Sequence, residues 1–163
     1  MSNIVLTGFM ATGKTTIGQL VAYELGRSFV DTDALIVAQA GQSIPQIFAT
    51  KGEAAFRALE AQTTQYLAAQ TELVIATGGG MLVNGDNLAV LSASGCVICL
   101  TATPETIAER IQAEDGRPLA GQWRELYAAR QSAYAAMPHH VATDDRNPNV
   151  IAQEVINTWR QSL

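Results

Sequence analysis

Gly8-Phe-Met-Ala-Thr-Gly13-Lys14-Thr15 fits the pattern G-x-x-x-x-G-K-[ST] and follows directly on an apolar run over residues 3–7. A second apolar series, Ile17, Leu20, Val21 and Leu25, comes after it with helical spacing and stops at Gly26. A strand before this pattern and a helix after it is the setting in which its chemistry works. The glycines let the backbone turn so that successive N–H groups face one anion, and the start of the helix adds its positive dipole end. Lys14 is placed to reach the β- and γ-phosphates of a nucleotide, and the Thr15 hydroxyl to ligate the magnesium ion that bridges them. The loop alone does not choose between a kinase, an ATPase and a GTPase.

Working outward, further short apolar runs fall at 28–31, 73–77, 96–101 and, weakly, 140–143, separated by amphipathic stretches. That alternation predicts a parallel sheet covered by helices. Helices are expected after Thr103-Pro104 (Ile107, Ile111), over the Ala-rich segments 52–69 and 123–137, and from Pro148 onward. The last should carry Val150, Ile151, Val155, Ile156 and Trp159 on its apolar side. Residues 41–51 and 115–122 resist assignment; they are natural places for a substrate-binding flap and a mobile lid.

The second strand ends Phe29-Val30-Asp31-Thr32-Asp33, with two carboxylates two apart at its carboxyl end. Open α/β sheets bind ligands at that edge, so both acids can point into the nucleotide crevice, one holding magnesium water and the other an acceptor hydroxyl. Asp33 or Thr32 could equally cap a helix beginning at Ala34. The third strand runs into Gly78-Gly79-Gly80, either a flexible turn or a platform of bare amides; its place at a strand's carboxyl end favours the platform.

The 163 residues suit one domain, and a net charge of -5 with two lysines and eight arginines gives no cationic surface for nucleic acid. No basic leader or long apolar segment stands at the N-terminus, so the cytoplasm is expected. Cys96 and Cys99 are three apart in an apolar strand, which turns their side chains to opposite faces and argues against a shared metal. The same alternation gives His139 and His140 no common role.

Beyond the loop GFMATGKTT, the chain reads FVDTD, GQSIPQIFATKGEAAFRALE, ATGGG, RPL at Arg117 to Leu119, and R-x-x-x-Y at Arg130 to Tyr134. In these blocks and their order it resembles the shikimate kinases, small P-loop kinases, over nearly its whole length. The resemblance implies a three-layer α/β fold with a five-stranded parallel sheet of order 2-3-1-4-5 and helices on both faces. It implies transfer of the ATP γ-phosphoryl group to the 3-hydroxyl of shikimate, in aromatic amino acid biosynthesis, by a chain expected to act as a monomer without a membrane. By the same resemblance, Asp33 binds the ring hydroxyls and is the candidate base, and Arg57 and Arg130 clamp the substrate carboxylate. Gly79 and Gly80 contact the substrate through their amides. Loop residues Ala11, Thr12, Gly13, Lys14, Thr15 and Thr16 hold ATP, Arg117 on the lid reaches its phosphates, Arg110 and Arg146 flank the adenine, and Asp31 supports Mg²⁺ with Thr15. Catalysis would rest on Asp33, Lys14 and Arg117.

Three departures stand out. Alanine occupies position 11, where the family usually has glycine; a positive φ there would cost about 1 kcal/mol. The span from Arg117 to Arg130 is shorter than usual, with Ala120 in place of a second leucine, which bears on lid closure. An acidic residue often found shortly after the D-x-D is absent. Two rivals remain: a kinase for another hydroxy acid such as gluconate, and a nucleotide-binding regulator on the same scaffold that has lost turnover.

Overall fold

The computed structural model describes residues 2–115 and 122–163. Five strands, β1 (Asn3–Thr7), β2 (Ser28–Asp31), β3 (Leu73–Ala76), β4 (Gly95–Thr101) and β5 (His139–Ala142), form one sheet. All pairs are parallel and the order is β2-β3-β1-β4-β5, as the resemblance implied. Around it run α1 (Lys14–Leu25), α2 (Thr32–Ala40), α3 (Ile44–Lys51), α4 (Glu53–Ala68), α5 (Gly85–Ser94), α6 (Pro104–Asp115), α7 (Gln122–Ala135) and α8 (Pro148–Gln161).

Alternation along the strands divides the core into two apolar layers. Ile4, Leu6, Val74, Ile98 and Leu100 face α1 and α8, whereas Val5, Ile75, Val97 and Cys99 face the layer containing Leu67, Leu91, Ile107 and Tyr134. Cys96 and Cys99 lie in different layers, as the odd spacing required. Asn3 ties the central strands together at their amino ends: its Oδ1 accepts from the Leu73 N–H and its Nδ2 donates to the Gln70 carbonyl, both at 2.9 Å. A third, smaller cluster of Ile36, Ile47 and Phe56 packs α2, α3 and α4 against one another and so supports Arg57 on α4.

Most of the unassigned stretch 41–51 is the helix α3. Ser43 and Gln46 close a reciprocal capping box, Pro45 sits in the first turn, and Gly52 ends the helix with φ 85°. Val150 departs from the apolar side of α8 and is 55% exposed. At about 100° per residue it points away from Ile151, Ala152, Val155, Ile156 and Trp159, which are buried. The expected lid over 115–122, with Arg117, lies outside the described residues except for its two ends, which close α6 and open α7. No helix among the described residues is long and apolar enough to cross a membrane.

Candidate active site

The loop between β1 and α1 takes its shape from close approach. Gly8 has φ 136°, and a Cβ there would stand 2.4 Å from the Leu100 carbonyl oxygen; Gly13, at φ 98°, turns the chain into α1. Ala11 does take a left-handed backbone, φ 59°, in the position where the family's glycine was expected. The buried Thr12 hydroxyl donates to the Phe9 carbonyl at 2.7 Å, and Lys14 Nζ crosses the loop to the carbonyls of Gly8 (2.7 Å) and Phe9 (2.8 Å). Burial lowers the Lys14 pKa to about 8, with Asp33 acting in the opposite direction.

At the carboxyl end of β2, Asp31 does two things. Its Oδ1 accepts the Ala34 N–H and caps α2, a role that sequence reading gave to Asp33 or Thr32. Its Oδ2 accepts the Thr15 hydroxyl at 3.3 Å. This pairing of oxygen donors suits a hard divalent cation. Among the described residues no group of three His, Cys, Asp or Glu side chains is placed to hold a metal ion. Thr32 is buried and accepts the Gly78 N–H at 2.9 Å, which ties the start of α2 to the glycine run.

Three separate helices converge on that run. A Cβ on Gly78 would meet Asp33 Oδ1 at 2.6 Å, and one on Gly80 would meet Arg57 Nη1 at 2.9 Å and Arg130 Nη2 at 3.0 Å. Asp33 from α2, Arg57 from α4 and Arg130 from α7 therefore meet over Gly78, Gly79 and Gly80. Burial raises the Asp33 pKa and Asp31 raises it further, against the pull of Lys14 and Arg57. The N–H groups of Gly79 and Gly80 have no acceptor among the described residues.

On the other side of the loop, Arg110 donates to the Ala11 carbonyl (3.0 Å) and to the Thr143 carbonyl (2.6 Å). Arg146 donates to the Ala142 carbonyl at 2.7 Å and pairs with Glu154. The two arginines, with Gly13, Thr16 and Pro148, line a cavity of about 210 Å³ that opens beside the loop. A larger hollow, about 550 Å³ between Gly26, Glu72 and Trp159, lies at the amino ends of β2 and β3, the edge away from which parallel sheets bind ligands.

A family model described as shikimate kinase matches residues 10–160. The chain belongs to the shikimate kinase family. It is 41% identical to a shikimate kinase of Pelotomaculum thermopropionicum over 99% of this chain and 97% of that one. Its fold superposes on a shikimate kinase from Acinetobacter baumannii in complex with shikimate, with TM-score 0.89, 31% identity and coverage of 99% and 94%. A gluconokinase from Sinorhizobium meliloti shares the fold alone, at 17% identity and TM-score 0.69 over 99% and 93%. Membership of the shikimate kinase family makes the chain an ATP-dependent phosphotransferase.

Two residues near the site carry no role in the sequence reading. Glu60, 2% exposed, accepts from Arg57 Nη1 at 2.6 Å; its pKa is raised by burial and lowered by Arg57. Its place was visible as the last residue of the block that resembles the shikimate kinases, and it stands one turn beyond Arg57. Tyr134, 4% exposed, donates its hydroxyl to the Gly79 carbonyl at 2.6 Å.

Proposed function

We infer that the chain transfers the γ-phosphoryl group of ATP to the 3-hydroxyl of shikimate, giving shikimate 3-phosphate and ADP, the step of aromatic amino acid biosynthesis that its family performs. The observation that carries this reading is the convergence of Arg57 and Arg130 on the bare amides of the glycine run, beside Asp33 and the phosphate loop. Two planar forks match a carboxylate, and each charge-assisted bond contributes about 1.5–3 kcal/mol, enough to orient a small acid. The Gly79 and Gly80 amides would contact the substrate ring.

Asp33 would hold the acceptor hydroxyl. Its raised pKa makes it a better proton acceptor than an ordinary aspartate, although a loose transition state asks more for positioning than for deprotonation. Lys14 and the loop residues Ala11, Thr12, Gly13, Thr15 and Thr16 would take the phosphates, with Arg110 and Arg146 beside the adenine and Arg117 closing over them from the lid at 115–122. Thr15 and, through water, Asp31 would hold Mg²⁺, which supplies charge neutralisation between the β- and γ-phosphates. We propose that the chain acts as a monomer of one domain in the cytoplasm.

The test is an ADP-release assay with shikimate as the only acceptor and gluconate as the control. ADP formation with shikimate alone is the expected result. Tight ATP binding with no ADP formed would point instead to a nucleotide-binding regulator, and turnover with gluconate to the other kinase.

A further inference from the structure

Tyr134 lies four residues after Arg130 on α7, so the two side chains leave the helix on the same face. The Tyr134 hydroxyl reaches across to the Gly79 carbonyl at 2.6 Å, while His140 Nε2 meets the Tyr134 carbonyl at 2.8 Å and ties the end of α7 to β5. Backbone and ring are therefore both anchored; the phenol is protonated at neutral pH, and burial, against the pull of Arg130, pushes its pKa further up.

The consequence follows from peptide geometry. The Gly79 carbonyl and the Gly80 N–H belong to one planar, trans peptide unit and point in opposite directions. A glycine–glycine peptide has no Cβ on either side to fix its plane, so an unanchored unit would rotate readily about its flanking dihedrals. Tyr134 takes the carbonyl on the side of α7, which sends the Gly80 N–H the other way. A Cβ built on Gly80 would stand 2.9 Å from Arg57 Nη1 and 3.0 Å from Arg130 Nη2, so both guanidinium groups border this residue.

We propose that Tyr134 is a positioning residue: its hydroxyl sets the plane of the Gly79–Gly80 peptide, aiming the Gly80 amide at the acceptor held by the two arginines, and locks Arg130 to that platform through one helical turn. The proposal rests on the reading of this cluster of side chains over the glycine run as the shikimate site. Removing the hydroxyl should loosen the platform without touching the nucleotide side, where Arg110 and Arg146 hold a separate cavity.

Steady-state kinetics of Tyr134→Phe tests it, with Arg57→Ala run in parallel. The expected result is a KM for shikimate raised about five- to tenfold, from the loss of one neutral hydrogen bond and of the order it imposes, with the KM for ATP unchanged. An equal change in both KM values, or none in either, overturns the positioning role. If Arg57→Ala also leaves the shikimate KM unchanged, the substrate site itself has been misread. A second measurement does not depend on how the variant folds. In the wild-type chain the backbone amide resonance of Gly80 should shift on saturation with shikimate, and an unmoved resonance would overturn the proposal.

Discussion

Arg57 Nη1 donates to the buried carboxylate of Glu60 at 2.6 Å, and Arg57 Nη2 lies 3.5 Å from Glu53 Oε1 on the preceding turn. Two carboxylates on α4 thus hold the guanidinium against the glycine run. Replacing Glu60 by Gln keeps the shape and an oxygen acceptor but removes the negative charge opposite the guanidinium, so the fork should be held less firmly. We expect the KM for shikimate to rise about tenfold with nucleotide affinity unchanged, measured by steady-state kinetics and ATP titration. A parallel loss of ATP binding would show that Glu60 supports the fold generally.

Arg57 itself should matter more. Arg57→Ala removes one of two forks and leaves Arg130 alone with the carboxylate, which should raise the shikimate KM about a hundredfold. ATP affinity should stay within about twofold, since Arg110 and Arg146 lie in a separate cavity. Equal losses for both substrates would count against the clamp.

Much of this arrangement was legible before the structure, for identifiable reasons. The loop glycines, the D-x-D at a strand end and the glycine run are local features whose mechanism depends on short-range geometry. The five strands followed from their apolar runs, to within a residue or so at their ends. The helix α3 went unread although Ser43 and Gln46 spell a capping box, because its mixed composition hides the period of its eight residues. Which residue caps α2 was misjudged, since a strand that ends at Asp31 leaves that residue, and not Thr32 or Asp33, outside the helix. Glu60 and Tyr134 stood in blocks already quoted, but their roles were not legible there: one is defined by burial, the other by a contact across 55 residues.

Asp33→Asn should separate activity from stability. Burial and the nearby Asp31 raise the Asp33 pKa in the folded chain above the unfolded value of 3.8. Between 3.8 and that raised value the folded state binds the extra proton, so stability falls as pH rises through the folded pKa. Asn removes this cost; the variant should melt at or above the wild-type temperature at pH 7, and the difference should vanish below pH 3.8. Turnover should fall by a factor of about 10² or more while ATP affinity holds. Unchanged turnover would remove Asp33 from the mechanism.

Ala11 offers a stabilising change. Its φ of 59° is a left-handed conformation that costs a Cβ-bearing residue about 1 kcal/mol. Its carbonyl is held by Arg110, so the conformation is imposed by the loop and would persist without the side chain. Ala11→Gly should therefore raise the melting temperature by about 2–4 °C. A lower melting temperature would mean that the entropy of the unfolded glycine outweighs the relieved strain.

Lys14 predicts a pH dependence that belongs to the nucleotide side alone. Desolvation lowers its pKa from 10.5 to about 8 in the free chain, so the ammonium loses its proton as pH rises through that value. Stability changes in the favourable direction: between about 8 and 10.5 the unfolded lysine keeps the proton that the folded one has shed, and the cost of burying the charge is relieved. Binding changes in the opposite direction. A triphosphate beside Lys14 favours the charged form, so above pH 8 the complex must take up a proton, and affinity should fall by up to about tenfold per pH unit. Calorimetric titration with ATP in two buffers of different ionisation enthalpy should report more proton uptake at pH 9 than at pH 7. Equal uptake at the two pH values would mean that the loop carbonyls and Asp33 keep Lys14 charged throughout, with burial too weak to shift it.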